Sequence, residues 1–248
     1  MSTNQLPISV FDTPDELERA ALDLVQSIVA SASAETPVHI VLAGGSTPKR
    51  LYEKLAELDG IPWEHVHMWF GDERTVPPDH DDSNFKMCHE SLLSSISIPA
   101  ENIHRMRGEV HPEAAAQSYC DEIASHVPKR PSGMPRFDLV ILGLGEDGHT
   151  ASLFPNTEAL DETSAFVVAN EVPQEQTVRI TMTTPVLDAA EHVLFLATGE
   201  AKAEALSAIV SAGKDGPPAG LVRPEPGELH WYVDRAAAHL LPDDQVSR

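Results

Sequence analysis

Short apolar segments rich in β-branched residues recur along the chain, and several are followed by a segment whose apolar residues repeat every three or four positions. The first pattern predicts buried strands and the second predicts amphipathic helices. The predicted strands cover residues 38–43, 66–70, 138–142, 165–169, 178–182, 193–197 and 230–234. The predicted helices begin near residues 14, 48 and 84 and cover 111–127 and 200–212. This alternation predicts an α/β fold, a Rossmann-like and mostly parallel sheet with helices on both faces.

Local sequence also bears on where helices start and where domains could divide. Residues 13–16 read Thr-Pro-Asp-Glu, a capping box with proline at the first helical position. The chain contains no internal repeat and no long linker, and the Pro- and Gly-rich segment 128–135 is the one plausible boundary. We therefore expect residues 1–248 to form a single domain.

Charge and composition narrow the classes of partner. The chain has 17 Lys and Arg against 39 Asp and Glu, a formal net charge of −22. Such a surface repels nucleic-acid phosphates and anionic lipids, so we expect neither nucleic acid nor a membrane as partner. Cys88 and Cys120 stand apart, which argues against a disulfide framework or a cysteine zinc site. With no long apolar run and no signal-peptide pattern, we expect a cytoplasmic protein.

The candidate functional residues follow the carboxyl ends of the predicted strands, where open α/β sheets bind ligands. Residues 44–48 read Gly-Gly-Ser-Thr-Pro. The glycines permit a close backbone approach, and the start of a helix favours an anion. Helix initiation alone, with Thr47 as N-cap and Pro48 as first helical residue, explains the same pattern. The Gly-Lys-Ser/Thr of a nucleotide-binding P-loop is missing.

A second glycine-rich segment follows the strand at 138–142. Residues 143–148 read Gly-Leu-Gly-Glu-Asp-Gly, which matches the G-x-G-x-x-G of dinucleotide-binding folds. Those folds need a full helix after the glycines. Pro155 and Asn156 would cut that helix short, which argues against nicotinamide binding.

The histidine that follows these glycines is the candidate general base. His149 comes two residues after Asp147, and a neighbouring carboxylate can fix the tautomer of an imidazole and raise its basicity. A solvated or structural histidine is the alternative, because the chain contains 12 histidines. Ser152 lacks the G-x-S-x-G surroundings of a nucleophile elbow.

Three basic residues are candidate anion ligands. Arg74 closes the sequence Asp-Glu-Arg at 72–74, after the strand at 66–70. An arginine at the carboxyl end of a strand suggests anion recognition, with a surface ion pair to Glu73 or Asp79 as the alternative. Arg179 and Lys202 are further candidates, and an ordinary surface charge is the alternative for each.

The histidine and aspartate spacings give little support for a metal site. His65 and His67 could share one face of a strand, but no third ligand is evident near them. His80, Asp81 and Asp82 are most simply a hydrated loop. We therefore expect no metal.

Four segments in order resemble the 6-phosphogluconolactonase family. They are residues 42–48, 69–74 together with 82–84, 143–155 and 198–202. The resemblance implies a single-domain α/β fold like that of the glucosamine-6-phosphate deaminases. It also implies hydrolysis of 6-phospho-D-glucono-1,5-lactone to 6-phosphogluconate, the second step of the oxidative pentose phosphate pathway, without a cofactor.

Two departures from the related deaminases favour the lactonase. Deaminases typically have Asp-Glu-Tyr where residues 72–74 here read Asp-Glu-Arg, and Asn-Glu-Pro where residues 152–155 here read Ser-Leu-Phe-Pro. The first alternative remains deamination and isomerisation of glucosamine 6-phosphate, with Asp72 as the proton-transfer base. The second is a non-catalytic sugar-phosphate sensor, against which the chain offers an intact His149 and no DNA-binding segment.

The resemblance also suggests roles for individual residues. His149 is expected to deprotonate the water that attacks C1, Asp147 to orient the site, and Arg74 to stabilise developing negative charge or position the sugar acid. The expected substrate- and phosphate-binding residues are Gly44, Gly45, Ser46, Thr47, Asp72, Gly148, Arg179 and Lys202. We expect a small-molecule sugar-phosphate lactone as substrate and a monomer or weak homodimer.

Overall fold

A six-stranded parallel β-sheet lies at the centre of the computed structural model, which describes residues 6–242 apart from the side chain of Lys214. The strands of the whole structure are β1 (Ile8–Phe11), β2 (Val38–Leu42), β3 (Val66–Phe70), β4 (Asp72–Arg74), β5 (Leu139–Gly143), β6 (Val167–Val172), β7 (Thr177–Met182), β8 (His192–Ala197) and β9 (Glu228–Asp234). The parallel sheet has the order β1-β9-β8-β5-β2-β3. The prediction of an α/β fold with a mostly parallel sheet is confirmed.

Helices cover both faces of this sheet. They are α1 (Pro14–Val29), α2 (Ser46–Leu55), α3 (Asn84–Cys88), α4 (Pro112–His126), α5 (Thr184–Asp188), α6 (Ala203–Ala212) and α7 (Arg235–Ala238). Alternate residues of a strand face opposite sides. Ile40 and Leu42 of β2 accordingly pack with α1 and α2, whereas Val41 packs with α4 and α6. Within residues 6–242, no helix is both long enough and apolar enough to span a membrane.

A small antiparallel sheet, β4-β7-β6, lies beside the parallel one. At Gly71 the chain leaves β3 and enters β4, so residues 72–74 form a strand of a second sheet rather than the end of the predicted strand at 66–70. Gly71 bridges the two sheets, because its N–H donates to Leu42 O (3.0 Å) and its carbonyl accepts from Met182 N (2.8 Å). The predicted strands at 165–169 and 178–182 are β6 and β7, and neither belongs to the parallel sheet.

The strand order places a crevice between β2 and β5. From β2 the chain moves outward to β3, and it later returns to build β5, β8 and β9 on the other side of β2. The connections that leave β2 and β5 therefore run in opposite directions. Ligands of open α/β sheets bind in the crevice formed at such a switch point.

Most other element predictions hold, with local corrections. Thr13 caps α1 as expected, its Oγ1 accepting from Glu16 N at 3.2 Å. The interpretation of Thr47 as an N-cap is wrong, because α2 already begins at Ser46 with Gly45 as N-cap. Gly45 adopts a φ of 99°, a conformation that glycine accepts without strain and that lets the helix start earlier. The four-residue strand β1 was not predicted.

Candidate active site

The predicted site residues meet at one cleft of about 590 Å³ at the carboxyl ends of β2, β5 and β8, with β4 and β7 along one side. Of the eleven residues singled out from the sequence, ten line this cleft: Gly44, Gly45, Ser46, Thr47, Asp72, Arg74, Asp147, His149, Arg179 and Lys202. They come from segments that are far apart in the chain. The parallel sheet brings the ends of β2, β5 and β8 to one edge, and the small antiparallel sheet adds Asp72, Arg74 and Arg179 beside them.

The turn after β5 presents His149 with a defined tautomer. His149 Nδ1 lies 2.6 Å from Asp147 Oδ1, and the same oxygen accepts from His149 N at 3.1 Å. A carboxylate only accepts, so Nδ1 carries the proton and Nε2 carries a lone pair. No described residue hydrogen-bonds Nε2, which is thus available to take a proton from a water in the cleft.

Glycine at position 145 is what allows this arrangement. A Cβ there would lie 2.2 Å from His149 Nδ1 and 2.7 Å from Asp147 Oδ1. Phe154 also stacks on the imidazole, at a centroid distance of 3.9 Å. Gly145 and Phe154 thus both adjoin the His149 ring.

Gly148, the eleventh predicted residue, does not line the cleft. It has a φ of 80°, and a Cβ there would lie 2.2 Å from Pro217 Cβ. Its N–H donates to Gly145 O at 3.1 Å and its carbonyl accepts from Ala219 N at 2.9 Å. In this structure Gly148 permits the bend between Asp147 and His149, and its expected contact with a ligand remains a prediction.

The chain after this turn does not build a dinucleotide site. Residues 150–157 form turns, and the next regular strand is β6 of the small antiparallel sheet. The helix that a dinucleotide fold requires after its glycines is absent from this described segment, as the positions of Pro155 and Asn156 predicted.

The connection from β2 to α2 offers backbone donors. The first-turn N–H groups of Ser46 and Thr47 have no intrahelical partner, because the first four N–H groups of any helix lack one. These groups, together with the helix dipole, favour an anion at this edge of the cleft. Thr47 Oγ1 lies 2.8 Å from Thr198 Oγ1, which fixes the loop to the end of β8.

Asp72 is buried at the floor of the cleft with both carboxylate oxygens engaged. Asn84 Nδ2 donates to Oδ1 (3.1 Å) and Ser152 Oγ donates to Oδ2 (2.6 Å). Asn84 packs so closely against the loop after β2 that a Cβ on Gly44 would lie 1.9 Å from its Oδ1. Glycine at position 44 is therefore needed for Asn84 to pack against this loop.

Glu73 points away from the cleft and supports Asn84 from behind. Its carboxylate accepts from Asn84 N (2.7 Å), Phe85 N (2.8 Å) and Ser83 Oγ (3.0 Å). Burial raises the pKa of the Glu73 carboxyl above its ordinary value, against the lowering effect of these backbone donors. Glu73 is thus a structural carboxylate that anchors the start of α3.

Arg74 and Arg179 lie directly opposite each other on β4 and β7. Arg74 Nη1 donates to Asp82 O at 2.5 Å, and Arg179 Nη2 donates to Glu175. The Nε atoms of both arginines are buried without a hydrogen-bond partner among the described residues. Arg74 forms no ion pair with Glu73 or Asp79, so the surface-pair alternative does not apply to it within residues 6–242.

Lys202 completes a group of three cations around the cleft. It ends a short 3-10 turn, Glu200–Lys202, that follows Gly199 and precedes α6. Asp234 fixes this turn by accepting from Gly199 N at 3.1 Å. Lys202 forms no ion pair with any residue that the structure describes. The cleft also contains the acids Asp72, Glu146, Asp147 and Glu175, so its lining carries both signs of charge.

Several residues of the site were not assigned a role from the sequence: Asn84, Ser152, Phe154, Gln174 and Glu175. Asn84 and Phe154 lie inside the segments that carry the family resemblance, which is the available signal for them. Glu175 comes from a loop before β7 that has no distinguishing pattern.

The histidines considered as metal ligands are placed elsewhere. His65 belongs to a 3-10 turn (Trp63–His65) rather than to a strand, and His67 Nδ1 lies 2.9 Å from His104 Nε2. His80 Nδ1 lies 3.6 Å from Asp82 Oδ2 in the loop before α3.

Comparison with known proteins identifies the family. The model of the family "Glucosamine-6-phosphate isomerases/6-phosphogluconolactonase" matches residues 12–231. The 6-phosphogluconolactonase of Haemophilus influenzae is 38% identical over 229 residues, which cover 90% of this chain and 96% of that protein.

Solved structures agree with this match. The 6-phosphogluconolactonase of Trypanosoma brucei superposes with a TM-score of 0.86 at 33% identity, covering 96% of this chain and 99% of that one. A monomeric glucosamine-6-phosphate deaminase has a TM-score of 0.76 at 20% identity, covering 95% of this chain and 100% of that one, and so shares the fold. The chain therefore belongs to the glucosamine-6-phosphate isomerase/6-phosphogluconolactonase family.

Proposed function

We propose that this protein hydrolyses 6-phospho-D-glucono-1,5-lactone to 6-phosphogluconate, a step of the oxidative pentose phosphate pathway. The observation that carries the proposal is the His149–Asp147 pair, 2.6 Å apart, in the same cleft as Arg74, Arg179 and Lys202. Such a cleft supplies both a base and cations for a phosphate. The names of the relatives give independent support.

The proposed chemistry is general-base hydrolysis. His149 Nε2 takes a proton from a water as the water oxygen bonds to C1 of the lactone. Asp147 keeps the proton on Nδ1 and stabilises the imidazolium that forms. The tetrahedral intermediate then collapses, the bond between C1 and the ring oxygen breaks, and the imidazolium returns its proton to that oxygen. A δ-lactone is an activated ester, so no covalent nucleophile is needed.

The phosphate is assigned to basic side chains of the cleft and to the start of α2. Arg179, Lys202 and the N–H groups of Ser46 and Thr47 would hold the 6-phosphate, and Arg74 would stabilise the negative charge that develops at the C1 oxygen or position the sugar acid. Binding at the phosphate fixes the lactone ring relative to His149, which lowers the entropic cost of reaching the transition state.

One observation keeps deamination of glucosamine 6-phosphate as the second candidate. Asp72, the proton-transfer base in that reaction, also lines the cleft. Its two oxygens already accept from Asn84 and Ser152, whereas His149 Nε2 is open. This difference in accessibility favours the lactonase.

A hydrolysis assay with freshly generated lactone tests the proposal. Wild type should accelerate hydrolysis above the spontaneous rate, and His149→Ala should lose about 10²–10⁴-fold in kcat, the contribution of a general base. His111→Ala is the matched control, because His111 also pairs with an acid, Glu113, at 2.8 Å but is far more exposed. An inactive but folded wild type that releases ammonia from glucosamine 6-phosphate would establish the deaminase instead.

The remaining expectations belong to the same proposal. We take residues 1–248 to form one domain, because Ile180 and Met182 of the small sheet pack into the same core as Val140 of the parallel sheet. A cytoplasmic location, activity without a cofactor, and a monomer or weak homodimer remain predictions.

A further inference from the structure

Three side chains with metal-ligating atoms converge at the end of the parallel sheet opposite the cleft. His192 and Glu228 are the first residues of β8 and β9 and lie directly opposite each other, and His230 follows two residues later on β9. Residues two apart on a strand share a face. All three side chains therefore lie on the face covered by α1, at the amino ends of the strands, away from His149.

The ligand atoms form a nearly equilateral triangle. His230 Nε2 lies 3.5 Å from His192 Nδ1, and each of these nitrogens lies 3.6 Å from Glu228 Oε2. A tetrahedral zinc ion with bonds of about 2.0–2.1 Å separates its ligand atoms by about 3.3 Å. Small side-chain adjustments would therefore bring all three atoms into coordination.

The chemistry of the three groups suits zinc. Two imidazoles and one carboxylate form a recurrent ligand set for this ion, with a water in the fourth position. The side chains of His192, His230 and Glu228 are 28%, 21% and 68% exposed, so solvent can reach the open side of the triangle. Glu228 pairs with these two histidines and with no lysine or arginine of the described residues.

This arrangement is distinctive within residues 6–242. It is the one group of three histidine, cysteine or acidic side chains there whose ligand atoms all lie within 4.8 Å of one another. The pairs His149–Asp147 and His111–Glu113 lack a third ligand at such distances. The two imidazoles are also held on adjacent strands of the sheet, which limits the cost of organising them.

We propose that His192, Glu228 and His230 bind a divalent transition-metal ion of the zinc class that joins the amino ends of β8 and β9. The site lies at the opposite edge of the sheet from the lactone cleft, so its role is structural and it is independent of the proposed function. The alternative explanation for the short distances is that the three groups are hydrogen-bonded to one another without a metal. Zinc titration distinguishes this alternative from a metal site.

Calorimetric titration of ZnCl2 into metal-free, untagged protein tests the site. Wild type should bind zinc with a component that His192→Ala and His230→Ala each weaken by at least about tenfold, since even indirect partners of a metal ligand contribute 10–100-fold. Zinc at about 100 times its dissociation constant should raise the Tm of wild type by about 5–10 °C. The variants should lose this rise.

Control variants assign the binding to this triangle. His111→Ala and His149→Ala should keep the zinc-dependent rise in Tm, and His192→Ala should keep wild-type lactone hydrolysis. Glu228→Gln provides a test at an exposed position if a histidine variant fails to fold, because it removes one ligand at little structural cost. Wild-type zinc affinity in Glu228→Gln and in either folded histidine variant, or a wild-type Tm that zinc leaves unchanged, would overturn the proposal.

Discussion

The reactivity proposed for His149 depends on three immediate neighbours. Asp147 fixes its tautomer at 2.6 Å, Phe154 stacks on the ring, and Gly145 leaves space where any side chain would collide with Nδ1. Together they hold the ring in one orientation, with Nδ1 bonded to Asp147 and Nε2 without a hydrogen bond from any described residue. A histidine without these contacts would have to be ordered in each catalytic cycle, which costs activity.

Substitution of Asp147 tests the tautomer argument at the scale of one residue. Asp147→Asn keeps the size of the partner but removes the charge that stabilises the imidazolium, so kcat should fall by about 10–10³-fold while KM changes little. Initial rates across a range of pH measure the effect. Glu146→Gln is the matched control, because Glu146 lines the same cleft without contacting His149. Equal kcat in the two variants would rule out the assigned role.

At the scale of elements, the pairing of β4 with β7 is the decisive feature. It sets Arg74 opposite Arg179, and like charges directly opposite in an antiparallel pair destabilise it. Glu175 is the acidic partner of Arg179, and Arg74 donates to a backbone carbonyl instead of a carboxylate. This opposition of like charges is explained if Arg74 and Arg179 together bind an anion in the cleft.

Removing one of these charges should affect binding more than turnover. Arg179→Gln is expected to raise KM by about 10–100-fold, the value of one charge-assisted hydrogen bond, with a smaller change in kcat. Inorganic phosphate should also raise the Tm of wild type more than that of the variant. Arg105→Gln, which removes a surface pair with Glu109, is the control. An unchanged KM in Arg179→Gln would contradict the phosphate assignment.

The same strands show the limit of local patterns. Residues 66–74 look like one strand with a polar end, because hydrophobic alternation continues to Phe70 and stops. Whether the chain then stays in its sheet or crosses into another depends on the partner strand β7, more than 100 residues later. A pattern confined to neighbouring residues contains no information about that pairing.

At the scale of the whole molecule, a cluster of histidines between the sheet and α4 couples stability to pH. Its members are His39, His67, His104 and His126, with Glu122 bonded to His104 and Trp69 stacked on the same ring. Burial, together with the neighbouring imidazoles, lowers the pKa of His39 to about 3 and that of His67 to about 4. Both rings are therefore neutral in the folded protein at neutral pH.

The free energy of unfolding should decrease as the pH falls below about 6.5, the ordinary pKa of histidine. Below that pH the histidines of the unfolded chain become protonated, whereas His39 and His67 of the folded protein stay neutral. The stability that these two neutral rings contribute is therefore fully present above pH 6.5 and decreases as the pH falls toward 4. Urea denaturation at a series of pH values measures the effect. His67→Gln should flatten the dependence and His239→Gln, at the surface, should not. Parallel curves for wild type and His67→Gln would refute this account.

The sequence by itself determined the class of fold, the positions of most strands and helices, and most of the segments that line the cleft. It could do so because periodicity, capping and glycine-rich turns are local properties, and because segments at strand ends of a parallel sheet share one edge. Of the ten candidate residues that line the cleft, seven follow β2, β5 or β8 for this reason, whereas Asp72, Arg74 and Arg179 belong to the small sheet.

Only the tertiary structure decided which side chains meet across strands. The opposition of Arg74 and Arg179 and the triangle of His192, Glu228 and His230 each join residues from separate segments. The expectation of no metal rested on His65, His67 and the 80–82 loop and did not consider His192 and Glu228, which lie 36 residues apart and become neighbours through strand pairing. Contacts of this kind are set by register and packing, which the spacing of residues along one chain does not specify.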